Sequence, residues 1–352
     1  MIGRILLLPG DGIGEEAIVQ AEKIFHAIGR KFGRGFELKK ALVAGAAMES
    51  AGVPIPEETL RMCMESDAVI LGAWGSSKWS HLPEMHPSHV LRIRKAMNVY
   101  LNLRATKVYR RLTGFSPLKE RLIQDADILI VREISGGAYF GEKKNTIVNG
   151  EETASDLLAY TSSEIERVGR RAFEFASGRK GKVVSADKAG PLASSDLWRK
   201  TMNRIAADYP GVELEHILVD NCAMEMIMNP SKFDVIVSEN AFGDILSDVA
   251  AALTGLPAMA TSVCLGDGPA LYEVSHGSHE DIAGKDIYNP IAVILIVALL
   301  LRHTFGLERE AGAIEAAVEK VLSGSHRTPD MTDSDTAVVG TNKMTDLVIA
   351  EI

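Results

Sequence analysis

A chain of 352 residues is long for one hydrophobic core, so two domains are expected. Its 46% hydrophobic and 24% charged residues are those of an ordinary water-soluble globular protein. A net charge of −9 argues against a sequence-independent nucleic-acid surface, although a local arginine cluster could still hold a small anion.

The chain opens on LLLPGDGIGEE, an apolar run that ends at Pro9 and passes through three alternate glycines into a helical pattern. A dinucleotide fingerprint needs G-x-G-x-x-G, but Gly10, Gly12 and Gly14 give G-x-G-x-G, with Glu15 where the third glycine belongs. No Gly-Lys-Ser/Thr follows, so the stretch reads as a strand-to-helix turn. Strand-like runs follow at 5–8, 68–71, 128–131, 182–184, 217–219 and 235–237. Helical patterns at 15–32, 162–176, 196–209 and 244–253 lie between several of them. This βαβ rhythm predicts an α/β fold with a largely parallel sheet covered by helices. Residues 136–152 are Gly-rich, polar and aromatic, and predict a hairpin arm reaching outside the domain. The apolar run 291–301 is too short to cross a bilayer and predicts a buried helix, so no membrane partner is expected. No signal-peptide pattern opens the chain, and Cys63, Cys222 and Cys264 are scattered without a C-x-x-C. Both features suit a reducing cytoplasm and offer no disulfide framework or zinc site.

Ionisable residues follow the apolar runs. DADILIVRE delivers Arg132, KVVSADKAG delivers Asp187 and Lys188, HILVDN delivers Asp220, and DVIVSENAFGDILSD leads to Asp244 and Asp248. Ligands of open α/β sheets bind beyond the carboxyl ends of the strands, so the set predicts one convergent polar site. Asp244 and Asp248 are spaced i,i+4 and share a helix face, either as a solvated acidic face or around a cation. With Asp220, an all-oxygen set suits Mg²⁺ or Mn²⁺. LRIRKAMNVYLNLRATK adds Arg94 and Arg104, either on a basic surface helix or as clamps for a di- or tricarboxylate. Metal carboxylates, arginines, Lys188 and Tyr139 together describe the oxidation of a hydroxy acid. His81, His86 and His89 lack the spacing of metal ligands and read as a loop.

These motifs resemble the metal-dependent, β-decarboxylating 2-hydroxyacid dehydrogenases, the family of isopropylmalate, isocitrate, homoisocitrate and tartrate/D-malate dehydrogenases. The similarity runs through LLPGDGIGEE, GAWGSSKW, LRIRKAMNVYLNLR, VREISGGAYFGE, ADKAG, LVDNCAM, SENAFGDILSD, HGSHEDIAGKDIYNP and VVGTNKMTD. The isopropylmalate branch is the most similar. The resemblance implies an isopropylmalate dehydrogenase-like, non-Rossmann fold of two α/β domains with parallel or mixed sheets and a protruding arm. One domain would comprise 1–99 and 255–352, the other 100–254, with the arm near 136–152.

It further implies that Arg94, Arg104 and Arg132 grip the malate carboxylates and that Lys188 takes the hydroxyl proton. Tyr139 would protonate the enolate left when CO₂ departs, and Asp220, Asp244 and Asp248 would hold the metal. Lys188 and Asp220 would enter from the partner subunit of a homodimer. NAD would bind along 276–290, with His276, Gly277, Ser278, Asp281 and Ile282 on the loop and Asn289 at the adenine. Asp281 stands where an acid meets the ribose 2′-hydroxyl, which disfavours NADP. The side-group wall departs from isopropylmalate enzymes: Pro87, Ser88, His89, Val90 and Leu91 precede the first arginine, and Gly190-Pro191 follow the lysine region. Substrate-facing Ser88, Val90 and Leu91 therefore leave isocitrate-type, homoisocitrate or tartrate/D-malate oxidation open, or a specialised biosynthetic role. A catalytically silent subunit is disfavoured because no catalytic group is missing.

Overall fold

The computed structural model describes residues 2–352, apart from the side chain of Pro87. In chain order the elements are β1 (Gly3–Gly10), α1 (Gly14–Phe32), β2 (Phe36–Lys40), α2 (Ala44–Ala51), α3 (Glu57–Glu65), β3 (Ala68–Ala73), α4 (Val90–Ala96) and β4 (Val99–Lys107). Next come α5 (Glu120–Ile123), β5 (Asp127–Glu133), β6 (Lys143–Val148), β7 (Glu151–Asp156), α6 (Ser162–Ser177), β8 (Lys182–Asp187), α7 (Ala193–Ala206), β9 (Glu213–Leu218) and α8 (Val219–Met228). The chain closes with β10 (Val235–Ser238), α9 (Asn240–Leu253), β11 (Thr261–Gly266), β12 (Ala270–Val274), α10 (Ile291–His303), α11 (Glu308–Ser323), β13 (His326–Arg327), β14 (Ala337–Val338) and α12 (Thr341–Glu351).

Two compact units result. The first contains the chain up to Val99, Tyr109–Phe115 and Leu256–Ile352; the second contains Tyr100–Val108 and Ser116–Gly255.

In the first unit the strand order is β2-β1-β3-β12-β11. The first four run parallel and β11 pairs antiparallel with β12. The apolar runs of β1 and β3 are buried along their length, as a sheet covered on both faces requires. Helix α10, IAVILIVALLLRH, is apolar almost all round, and nine of its 13 residues are buried. Among the described residues, no helix is long and apolar enough to cross a membrane.

In the second unit the order is β4-β5-β10-β8-β9. Strands β5, β10, β8 and β9 are mutually parallel, and β4 adds an antiparallel strand against β5. Arg132, near the end of β5, and Lys188, Asp220 and Asp244, which follow β8, β9 and β10, thus lie at one carboxyl edge of four neighbouring parallel strands. A capping box opens α6: Glu164 N–H donates to Thr161 Oγ1 at 3.3 Å, and Thr161 N–H donates to Glu164 Oε2 at 2.7 Å. Strands β6 and β7 form an exposed hairpin closed by Asn149-Gly150, both at positive φ (54° and 86°). Asn-Gly is the pair a two-residue hairpin turn favours. The arm expected at 136–152 has its strands slightly later, at Lys143–Val148 and Glu151–Asp156.

Candidate active site

In the second unit, the guanidinium of Arg132 is buried, with 3% of the residue exposed. Its Nε and Nη2 both donate to Asn240 Oδ1, at 2.9 and 2.7 Å, and its Nη1 donates to Asp244 Oδ1. Tyr139 O–H donates to the other oxygen, Asp244 Oδ2, at 3.2 Å. Burial and then the Asp244 charge push the Tyr139 phenol above its ordinary pKa, which keeps its proton in place. Arg132, Asp244 and Tyr139 therefore form one centre. Asp248 lies one turn further along α9, exposed and without an ion pair among the described residues.

Arg104 lies on the same face of the β4–β5 ladder as Arg132. Asn102 pairs with Arg132 and Arg104 with Ile130, and directly opposed residues of an antiparallel pair point to the same side. Arg104 Nε donates to Asn102 Oδ1 at 2.9 Å.

A second centre lies beyond β8 and β9, where Lys188 Nζ donates to Asp220 Oδ1 at 2.6 Å. That bond holds the exposed Asp220 carboxyl below its usual pKa. Among the described residues no three His, Cys, Asp or Glu side chains gather as metal ligands, so Asp220 of a given chain does not join its own Asp244 and Asp248.

The braces of the first centre escaped the sequence reading. Glu239 caps α9, accepting from Phe242 N–H at 3.0 Å and Ala241 N–H at 3.2 Å. Its Oε2 also accepts from Tyr160 O–H at 3.0 Å, and the Tyr160 oxygen accepts Asn240 N–H at 3.0 Å. Asn240 Nδ2 donates to Gly136 O at 3.1 Å. Glu133, wholly buried, accepts from Ser135 N–H at 2.8 Å and Gly136 N–H at 2.9 Å at the start of the Tyr139 segment. Glu239 and Asn240 sit inside SENAFGDILSD, where an acid followed by an amide before a helical pattern signals a cap. Tyr160 carries no comparable signal.

The remaining expected residues belong to the first unit. Arg94, on α4, donates through Nη2 to the buried Glu273 carboxylate at 2.9 Å. Ser88 Oγ is 2.9 Å from His86 Nδ1, and Val90 and Leu91 open α4 half-buried. His81 and His86 line an open pocket of about 430 Å³ together with Ser76, Ser77 and Met85.

Three amides of the glycine turn are engaged within the protein rather than offered to a phosphate. Asp11 N–H donates to Ala73 O at 3.0 Å, Ile13 N–H to Ser278 O at 2.8 Å, and Gly14 N–H to Asp11 O at 2.9 Å. Gly12, at φ 53°, lets the turn close on Ser278, whose carbonyl oxygen would lie 2.1 Å from a β-carbon. The turn therefore braces the 276–290 segment. In that segment His276 Nδ1 lies 2.9 Å from Gly277 O and Nε2 lies 3.0 Å from Tyr288 O–H. A carbonyl can only accept, so Nδ1 carries the proton and Nε2 accepts from the tyrosine. Gly277 and Asp281 are exposed and Ile282 is half-buried, its N–H donating to His279 O at 3.0 Å. The Asn289 side chain is buried, donating to Asp330 Oδ2 at 2.9 Å and accepting from Ile291 N–H at 3.1 Å.

The family model for isocitrate/isopropylmalate dehydrogenases matches residues 4–348. The 3-isopropylmalate dehydrogenase of Priestia megaterium is 48% identical, over 100% of this chain and 96% of its own. That of Geobacillus kaustophilus is 50% identical, over 97% and 93%. Among solved structures, isocitrate dehydrogenase from Methylococcus capsulatus superposes with a TM-score of 0.85 at 32% identity, covering 99% of this chain and 98% of its own. A β-decarboxylating dehydrogenase from Thermococcus kodakarensis gives 0.81 at 34%, covering 99% and 95%. Matched from end to end in both sequence and fold, the chain belongs to the isocitrate/isopropylmalate dehydrogenase family.

Proposed function

We propose that the protein oxidises and decarboxylates 3-isopropylmalate to 2-oxo-4-methylpentanoate, a step of leucine biosynthesis, using NAD and Mg²⁺ or Mn²⁺. The Arg132–Asp244–Tyr139 centre carries this reading, because it sets an anion clamp, a carboxylate and a protonated phenol within contact of one another. Similarity to 3-isopropylmalate dehydrogenases supports the choice of substrate.

The aspartates suit the proposed ion. Asp244 and Asp248 present carboxylates from one face of α9, Asp220 is exposed, and oxygen donors without His or Cys are what a hard divalent cation takes. When bound, the cation supplies positive charge that favours ionisation of the hydroxyl, and NAD supplies the hydride acceptor. The protein's own groups do the rest. Arg132 and Arg104 hold a substrate carboxylate, Lys188 takes the hydroxyl proton, and Tyr139 returns a proton to the carbon that loses CO₂. The role of Arg94 at the second carboxylate and that of 276–290 at the dinucleotide rest on the family resemblance. Asp281, exposed and anionic, favours NAD over a 2′-phosphorylated cofactor.

The unit of activity in this reading is a homodimer in which Lys188 and Asp220 of one copy complete the Asp244–Asp248 site of the other. Apolar side chains left uncovered in one chain support it: Met228 (65% exposed) on α8, Ile245 (60%) on α9 and Ile147 (75%) on the arm. The test is complementation. Lys188→Ala and Asp248→Ala each retain only a small residual activity; unfolded and refolded together in equal amounts, they regain about a quarter of wild-type activity, since half the dimers are mixed and hold one intact site. No recovery refutes the shared site.

Oxidation of a tricarboxylate is the second reading, favoured by the exposed hydroxyl of Ser88. NADH production with Mg²⁺ across 3-substituted malates and isocitrate separates the two readings, and activity on none of them overturns both.

A further inference from the structure

The turn that carries Lys188 is held at three successive amides. Lys188 N–H donates to Ser195 Oγ at 3.1 Å, Ala189 N–H to Asp187 Oδ1 at 2.9 Å, and Gly190 N–H to Asp196 Oδ1 at 2.9 Å. Ser195 and Asp196 lie in the first turn of α7, so the helix start is tied back onto the segment that leads into it. The carbonyl of Lys188 is engaged too, accepting from Leu192 N–H at 3.2 Å.

Asp187 is fixed in its turn. It is 1% exposed, and Arg199, one turn further along α7, meets it with a two-pronged guanidinium: Nε to Oδ2 at 3.0 Å and Nη2 to Oδ1 at 2.7 Å. His216 Nδ1, on β9, stands 3.9 Å from Asp187 Oδ2 on another side. A planar fork on a buried carboxylate fixes orientation as well as charge. None of these groups touches Asp220, yet together they set where the Lys188 side chain begins. Turn residues usually retain freedom; here each amide from 188 to 190 is spoken for.

We propose that Asp187, Arg199 and Asp196 are positioning residues for proton transfer, fixing the backbone from which Lys188 reaches its partner and the substrate. The inference rests on the reading of Lys188 as the group that takes the hydroxyl proton. Loosening the turn then slows turnover while leaving substrate and dinucleotide binding intact, because ground-state binding draws on other residues.

Asp196→Ala, Asp196→Asn and Arg199→Ala are assayed with 3-isopropylmalate, NAD and Mg²⁺, alone and combined with Lys188→Ala. The expected result is a kcat lowered about 10-fold by Asp196→Ala and up to about 100-fold by Arg199→Ala, with both KM values held within about twofold. Asp196→Asn returns to near wild type, because its amide oxygen still accepts the Gly190 N–H. In the Lys188→Ala background Asp196→Ala costs nothing further, the signature of a residue acting through another. Asp196 is exposed, so its variants fold even where Arg199→Ala does not. An unchanged kcat in Asp196→Ala, a raised KM with kcat intact, or an equal loss in the Lys188→Ala background overturns the inference. Full activity in Lys188→Ala alone refutes instead the role given to that lysine, and the inference falls with it.

Discussion

Gly243 is the residue of α9 that backs onto Arg132. A β-carbon there would lie 2.9 Å from Arg132 Cγ, 3.0 Å from its Cβ and 3.4 Å from its Cδ. Carbon atoms settle at about 3.5–4.0 Å, so Gly243→Ala requires a shift of roughly 0.5–1 Å. Neither neighbour yields easily: α9 is capped by Glu239 and buried through Leu246 and Ala250, and Arg132 is fastened to Asn240 and Asp244. Two stability effects compete. Alanine favours the helix by about 1 kcal/mol, and overpacking costs about 1–3 kcal/mol. The net loss is roughly 0–2 kcal/mol, a fall in Tm of a few degrees. The effect on catalysis is larger, because a misplacement of about 1 Å costs on the order of 100-fold. Thermal melting and steady-state kinetics on one preparation should therefore give a nearly native Tm and a kcat/KM lowered about 30- to 100-fold. A native kcat/KM refutes the reasoning, since Arg132 would then have moved without consequence. A Tm lower by well over 10 °C would place the clash in the helix packing instead.

Asp281→Lys replaces a repulsion towards the 2′-phosphate with an attraction, about 1–2 kcal/mol at an exposed site; kcat/KM for NADP should rise about 10-fold relative to NAD, and an unchanged preference removes the reason for choosing NAD. Chelation by EDTA should abolish turnover and Mg²⁺ or Mn²⁺ restore it, while Tm without ligands stays within about a degree, because Asp248 is exposed and Asp220 makes an exposed ion pair with Lys188, of the kind that adds little to stability. Persistent turnover in excess chelator would dismiss the metal. Burial holds the His276 imidazole below its ordinary pKa in the folded chain. The unfolded chain protonates it at about pH 6.5, so its contribution is present above that pH and is lost as pH falls through the folded value. Tm should drop more between pH 7.5 and 5.5 in wild type than in His276→Gln, and parallel drops would show that another group governs acid sensitivity.

Strands buried on both faces were readable, because continuous apolar runs such as ILLL in β1 and ILIV in β5 leave few other outcomes. Strands interrupted by charge were not. In VYLNLRATK the polar side chains of Asn102 and Arg104 on one face of β4 alternate along the chain with Leu101 and Leu103 on the other, and the same letters suit a basic helix equally well. FELKK is short and sits at the sheet edge as β2, where its exposed lysines mask the pairing. The second arm strand, EETASD, has no apolar face to read, since all six residues are exposed. Val219, read as the end of a strand, instead opens α8, so the helix begins one residue before Asp220.

Charged groups of the candidate site were legible for a related reason: each stands at the end of a strand or shortly after it, so sequence order gives spatial order. Once β5, β10, β8 and β9 are parallel neighbours, their trailing residues must share an edge. What sequence order cannot give is the partner across the sheet. Asn240 lies 108 positions from Arg132, and Tyr160 lies 79 from Glu239, yet the first pair aims the guanidinium and the second fixes the start of α9. These braces are an amide, a phenol and buried carboxylates engaged by backbone amides, residue types with many ordinary structural uses, so no local pattern separates them. Their importance follows from burial. A guanidinium removed from water needs its N–H groups satisfied, and two of the acceptors that keep Arg132 in place come from α9, the helix that also carries Asp244 and Asp248. The arginine and the aspartates are therefore one mechanical unit: displacing α9 moves the guanidinium and the carboxylates together.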